Sequence, residues 1–168
     1  MTRWTPDPSF YPSPALAAAA PAEKLAYVAA FDRAGQRPDA IAVLDTDPDS
    51  DTYGRVVRVG SVRLGGIVDR TPHPAFPDEP LAGGPQMVEI SRDGRRVYVS
   101  NSLYGAWDDQ FYPDGVGAWV AKLDVDPEHG GLVPDPRFFP RGDEFRGRRV
   151  HQTRLQGGDA SSDSYCFP

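Results

Sequence analysis

Cysteine, long apolar runs and net positive charge are all scarce in this chain of 168 residues. Its single cysteine, Cys166, excludes a disulfide bond within the chain. No apolar run approaches the roughly 18 residues needed to cross a membrane. The alanine-rich stretch 15–20 is too short, and too poor in preceding basic residues, to predict a secretory signal. We therefore expect a cytoplasmic protein that is not embedded in a membrane.

Proline and glycine are abundant instead, with 18 and 17 residues. This composition favours many short strands joined by turns over long helices. With 39% hydrophobic residues the chain can bury a core, and its length is that of one domain. The formal charge of −6 argues against a nucleic-acid partner, because binding a phosphate backbone needs a basic surface.

One pattern of residues occurs twice, in 24–47 and again in 96–126. Each copy begins with a basic residue and a strand that contains Tyr-Val. A loop follows, and a second strand ends in Leu-Asp-x-Asp before a proline. A repeat of short strands predicts sheets that stack on one another, as the blades of a propeller do.

The fold class that we predict is all-β: a partial β-propeller with about two blade-like antiparallel sheets, an irregular N-terminal arm and an irregular C-terminal tail. Residues 1–64 would form the first blade-like part, 65–85 a proline-rich connector, and 86–168 the last blade-like part with the tail. Strands are expected at 25–31, 40–46, 55–64, 87–90, 96–101 and 118–125, followed by a turn at 128–132 and a short last strand.

Four segments carry a resemblance to a known family. Three of them are 81–87 (Leu-Ala-Gly-Gly-Pro-Gln-Met), 102–113 (Ser-Leu-Tyr-Gly-Ala-Trp-Asp-Asp-Gln-Phe-Tyr-Pro) and 157–163 (Gly-Gly-Asp-Ala-Ser-Ser-Asp). These resemble the C-terminal part of the selenium-binding protein / methanethiol oxidase family. The fourth, 21–32 (Pro-Ala-Glu-Lys-Leu-Ala-Tyr-Val-Ala-Ala-Phe-Asp), looks like the N-terminus of that family, as does the rest of 9–53.

The resemblance implies a shortened relative. Members of this family are seven-bladed propellers of several hundred residues. Here the N- and C-terminal parts are expected to join directly near 56–62, so that the central blades are missing. The histidine-rich segment and the Cys-Ser-Ser-Cys motif of the family are missing with them. Residues 1–168 are therefore expected to form a single truncated propeller-type domain.

The resemblance also implies a reaction and a cofactor. The family oxidises methanethiol with oxygen and water to formaldehyde, hydrogen sulfide and hydrogen peroxide; it is copper-dependent, and some members bind selenium. Copper suits this reaction because it exchanges electrons with a thiolate and with oxygen, and imidazole is a good ligand for it. His151 stands beside the Gly-Gly-Asp motif, where the family has a histidine. The resemblance therefore makes His151 the expected metal ligand.

The other two histidines and the cysteine are weaker candidates. His73 lies between two prolines and His129 beside two glycines, so both are expected in exposed loops. Cys166 would be reactive as a thiolate, which can bind selenium, copper or a persulfide. It could equally be a terminal thiol without a function.

Alternating aspartates at positions 45, 47, 49 and 51 are similar to a calcium-binding loop. However, Ser50 stands where such a loop needs glycine, and Val56 stands where it needs glutamate. We therefore expect these aspartates to cap a turn between two strands.

An aromatic loop at 103–117 contains Tyr104, Trp107, Phe111 and Tyr112. These rings could line a small pocket for a methyl thiol, or they could pack against a neighbouring blade. Packing is the favoured interpretation.

Three functions stay open at this level. The chain could be a copper-dependent methanethiol oxidase, a non-catalytic protein that binds selenium, copper or a thiol, or a remnant without chemistry. Because two blades cannot close a ring and open sheet edges tend to pair, self-association or pairing with a related propeller is expected.

Overall fold

The computed structural model describes residues 24–30, 40–91, 94–126 and 129–153, together with Ala15, Ala19, Ala22 and Gln36. Its strands form two antiparallel sheets, each with its strands side by side in chain order. The first sheet contains β1 (Leu25–Ala30), β2 (Ala40–Asp45) and β3 (Val56–Ser61). The second contains β4 (Pro85–Ile90), β5 (Arg96–Asn101), β6 (Val120–Val125) and β7 (Leu132–Pro134). The prediction of an all-β fold with about two blade-like sheets is confirmed.

Two short 3₁₀ helices, Asp108–Gln110 and Gly142–Phe145, interrupt the loops of the described chain. Within that part of the chain, no helix is long and apolar enough to cross a membrane.

The second sheet contains most of the core, and β5 lies at its centre. Five of the six residues of β5 are buried, because both of its faces are covered. Val97 and Val99 face the apolar core, which also includes Leu123 of β6. The side chains between them, Tyr98 and Ser100, project to the other face and are buried as well. A strand with both faces covered is typical of an inner strand of a layered fold.

The two sheets contact each other through close approaches at glycine. A Cβ at Gly94, where φ is +68°, would overlap the Tyr27 hydroxyl of β1. A Cβ at Gly60 of β3 would lie 3.0 Å from the backbone of Gly131, beside Leu132. Glycine at both positions therefore lets the sheets approach closely.

The connector at 65–85 folds back on itself and covers the core of the second sheet. Isolated backbone bridges join Gly66 to Gly83 and Pro72 to Pro80. Leu81 packs into the apolar core together with Leu64, which immediately precedes the connector. A segment expected to be a plain loop thus supplies part of the core.

Candidate functional site

The residues at 149–153, here called the crossing segment, lie across β4 and β5. Ser100 Oγ donates a hydrogen bond to the backbone carbonyl of His151. Gln152 Nε2 donates to Glu89 Oε1 at 2.8 Å. Glu89 and Ser100 are 3% and 1% exposed, so the crossing segment helps satisfy polar groups that are buried on this face of the sheet.

A second polar cluster anchors the start of the crossing segment. Asp108 is buried at the beginning of a 3₁₀ helix and accepts a hydrogen bond from Ser102 Oγ at 2.6 Å. Arg149 Nη1 approaches Asp108 Oδ2 at 3.4 Å and donates to the Ser102 carbonyl at 3.2 Å. The family-like motif at 102–113 is thereby tied to the tail that leads to His151.

The imidazole of His151 is exposed beside these anchors. The described residues nowhere bring together three His, Cys, Asp or Glu side chains that could hold a metal ion. A copper centre needs several nitrogen or sulfur ligands converging on one point. The donor set of the described chain therefore does not fit copper, and the role of His151 as a ligand stays a prediction.

The other histidines lie elsewhere. His129 is exposed as expected, and its Nδ1 lies 3.0 Å from Asp126 Oδ2. The expectation for His73 was wrong: its side chain is fully buried and stacks on Phe139. The flanking prolines suggested an exposed loop, but the connector turns this ring into the core of the second sheet.

The aromatic loop divides into one buried and three exposed rings. Tyr112 is buried, and this burial raises the pKa of its hydroxyl, although Arg70 beside the ring opposes the shift. Tyr104, Trp107 and Phe111 are all exposed, with Trp107 at 66%. Tyr112 therefore packs beside the connector, near Arg70 and Gly83, whereas Tyr104, Trp107 and Phe111 are not packed against the second sheet. Packing of the loop against a neighbouring blade stays a prediction.

The turn after β2 confirms the expected capping role for Asp45 and Asp47. Asp45 accepts hydrogen bonds from Ser50 Oγ, Thr52 Oγ1 and the Asp47 amide. These donors, led by the Ser50 hydroxyl, hold the pKa of the Asp45 carboxyl below its ordinary value. Lys24 completes the turn with an ion pair to Asp47 at 2.7 Å.

Sequence reasoning missed two groups of buried partners. Asn101 is fully buried, and its amide bonds the backbone of the connector and of the β5–β6 loop. Asp135 pairs with Lys122 at 2.9 Å and with Arg137 at 3.2 Å, and the Lys122 ammonium is the main reason that the pKa of Asp135 lies well below its ordinary value. The sequence has six arginines between 137 and 154, which was a signal for ion pairs with acidic residues, whereas no signal indicated the burial of Asn101.

Two predicted features of the tail lie outside the described residues: the Gly-Gly-Asp segment at 157–163 and the thiol of Cys166. Their predicted roles stay predictions.

The comparisons with known proteins identify the class of this chain. The model of the 56kDa selenium binding protein (SBP56) family matches residues 4–59 and 57–166. These two segments meet where the N- and C-terminal parts were predicted to join. The chain therefore belongs to the 56kDa selenium binding protein family, and it is truncated relative to full-length homologues.

Individual relatives agree with this assignment. A methanethiol oxidase of Xenopus tropicalis is 40% identical over 132 residues, which cover 70% of this chain and 28% of the relative. Selenium-binding protein 1 of Arabidopsis thaliana is 47% identical over 94 residues, covering 54% of this chain and 19% of the relative. The chain thus spans only about a fifth to a quarter of the length of these relatives.

A solved structure supports the fold. The hypothetical selenium-binding protein from Sulfolobus tokodaii superposes with a TM-score of 0.60 and 46% sequence identity. The match covers 86% of this chain and 29% of that protein. The two sheets are therefore a fragment of the propeller fold of this family.

Proposed function

We propose that this chain is a non-catalytic member of its family that binds a small sulfur or selenium compound without oxidising it. The observation that carries the proposal is the exposed imidazole of His151 on an anchored backbone, with no set of three metal-binding side chains in the described chain. A single accessible imidazole can donate or accept one hydrogen bond with a thiol or a selenium oxyanion. It does not hold copper tightly, because affinity for copper grows with the number of converging ligands.

The anchoring of the crossing segment supports a defined binding position. Ser100 bonds its backbone at His151, the Gln152 side chain bonds Glu89, and Arg149 fixes its start through Asp108. Since these bonds engage main chain and neighbouring side chains, the imidazole itself stays accessible. A ligand at His151 would also lie on the face of the sheet that bears the buried Glu89 carboxyl.

A second candidate is the oxidation of methanethiol with copper. It is favoured by the similarity to a protein described as methanethiol oxidase, which covers 70% of this chain. Copper and selenium are both proposals for this chain. The missing central part of the family fold is the reason that binding without turnover stands first.

The two candidates are separated by measuring binding and turnover together. Methanethiol or selenite is added to the ¹⁵N-labelled chain, and amide shifts are followed with His151→Ala, His129→Ala and Cys166→Ser as variants. We expect shifts centred on 149–153 that disappear in His151→Ala and persist in the other two. Oxygen-dependent release of hydrogen sulfide would favour the oxidase, and unchanged spectra would refute the binding proposal.

We also propose that the chain associates with a second copy of itself through the outer face of the first sheet. Besides Ala42, which is buried, the strand registers place six apolar residues on that face: Ala26, Val28, Ala30, Ala40, Leu44 and Val56. Val28 and Val56 are 44% and 54% exposed. Three strands of six residues present a face of roughly 300 Å². Stable complexes bury about 800 Å² per partner, so this association should be weak and dependent on concentration.

A cytoplasmic location stays a prediction.

A further inference from the structure

His73 fixes the connector to the core of the second sheet. Its side chain has no exposed surface, and its ring is parallel to Phe139, with 3.9 Å between ring centroids. Phe139 in turn contacts Trp119 and Phe76, whose ring centroids lie 6.1 Å and 6.0 Å away. The imidazole therefore packs as one member of an aromatic cluster.

The hydrogen bonding of the ring defines where its proton resides. Nδ1 accepts a hydrogen bond from the Ala75 amide at 3.1 Å, so in the neutral ring the proton is on Nε2. Nε2 has no hydrogen-bond partner among the described residues. A second proton would have to bind Nδ1. That step would break the bond to Ala75 and leave a buried cation without an acceptor.

The charged groups around this cluster offer little compensation. Asp135 is the acidic group that acts on His73, and its carboxyl is already bonded to Lys122 and Arg137. On the connector side, Arg141 lies over the Phe76 ring and is paired with Glu79. Burial accordingly lowers the pKa of His73 below its ordinary value, and Asp135 opposes this shift only in part.

We propose that protonation of His73 releases the connector at 65–85 from the core of the second sheet, so that the fold contains an acid-sensitive latch. A neutral histidine that is buried binds its proton more readily in the unfolded chain. The contribution of His73 to the free energy of unfolding is therefore complete above about pH 6.5, and it is lost as the pH drops below that value. The paired carboxylates Asp45, Glu79 and Asp135 lose their contributions only near pH 4 and below, which leaves a separate window for histidine.

The test is urea unfolding and amide exchange between pH 7.5 and 4.5. For the native sequence, the unfolding equilibrium constant should rise by up to about tenfold per pH unit below 6.5. The Ala75 and Phe76 amides should lose protection beyond the intrinsic effect of pH. His73→Asn retains an acceptor near the position of Nδ1 but does not titrate, so its unfolding constant should stay flat in this range. His129→Gln and His151→Gln, both at exposed positions, should follow the native sequence.

Two results would overturn the latch. One is an equal pH slope in His73→Asn and in the native sequence. The other comes from an NMR titration of the native protein, which needs no variant: a His73 ring that titrates at or above pH 6.5 is incompatible with the proposal. This second measurement keeps the proposal testable if His73→Asn does not fold.

Discussion

Asn101 shows how much of this fold depends on single buried polar side chains. Its Oδ1 accepts from the Gly84 and Ser102 amides, both at 2.9 Å. Its Nδ2 donates to the carbonyls of Ala82 and Gly117. One amide at the end of β5 thus satisfies four backbone groups, two in the connector and two in the β5–β6 loop. A buried backbone group left without a partner costs about 1–3 kcal/mol.

Replacing Asn101 should therefore destabilise the protein strongly. Asn101→Ala should lower the free energy of unfolding by roughly 2–3 kcal/mol, since several bonds are lost while some groups gain water. Asn101→Asp should be comparably destabilising, because a carboxylate cannot donate to the two carbonyls. Urea unfolding at pH 7 measures both variants. A change below about 0.5 kcal/mol in Asn101→Ala would be within the range of an ordinary surface substitution and would contradict this role.

Rules based on neighbouring residues predicted the structural role of Asp45 correctly and the environment of His73 wrongly. The capping role of Asp45 follows from contacts within seven positions of the chain, so the sequence pattern was enough to predict it. The burial of His73 depends on Phe139, which is 66 positions away (139 − 73). Because that contact is set by tertiary packing, neighbouring prolines indicated the wrong environment.

At the scale of elements, the strands and the short turn after β2 were predictable, whereas the two longer connecting segments were not. Alternating apolar residues and turn signals indicated every strand that the structure describes, with errors of a few residues at the ends. The crossing segment and the folded connector lack such periodicity. Their positions are fixed by individual bonds, such as Gln152 to Glu89, that no local pattern encodes. The division of the chain at residues 64 and 85 stays a prediction.

The contact between the two sheets can be tested with a pair of glycine substitutions. Gly94 and Gly54 both have positive φ, at +68° and +74°, but only Gly94 meets a side chain of the other sheet, that of Tyr27. Gly54→Ala should cost about 1 kcal/mol from backbone strain alone. Gly94→Ala should cost about 1–3 kcal/mol more, because the new methyl group also displaces Tyr27.

Thermal or urea unfolding of both variants measures this difference. Equal destabilisation by the two substitutions would mean that the turn between β4 and β5, which contains Gly94, does not pack on β1. The comparison isolates the packing because the backbone requirement is shared by both positions.

At the scale of the whole molecule, the exposed apolar face of the first sheet should govern association. Light scattering after size exclusion should give a mass that rises with loading concentration above that of one 18.3 kDa chain. Val28→Lys places a charge on that face, at the centre of the edge strand β1, and should restore the single-chain mass. Val133→Lys, at an exposed position of the second sheet, is the matched control and should leave the association unchanged. A constant single-chain mass for the native sequence would contradict the proposed pairing.

The sequence motifs were enough to predict the family of this chain. They were not enough to predict a chemical site, because a site depends on residues that converge in space. The motif at 102–113 and the tail do come together through Asp108 and Arg149. They do so as anchors for a single exposed imidazole.

The central claim is that this chain alone neither holds copper tightly nor oxidises methanethiol. The number of copper ions retained per chain tests that claim most directly. The purified chain would be loaded anaerobically with copper(I), dialysed against a weak competitor, and analysed for metal per chain together with oxygen-dependent release of hydrogen sulfide from methanethiol. The account predicts copper well below one ion per chain after dialysis and no hydrogen sulfide. One tightly retained copper ion in each single chain, with turnover of methanethiol, would contradict it.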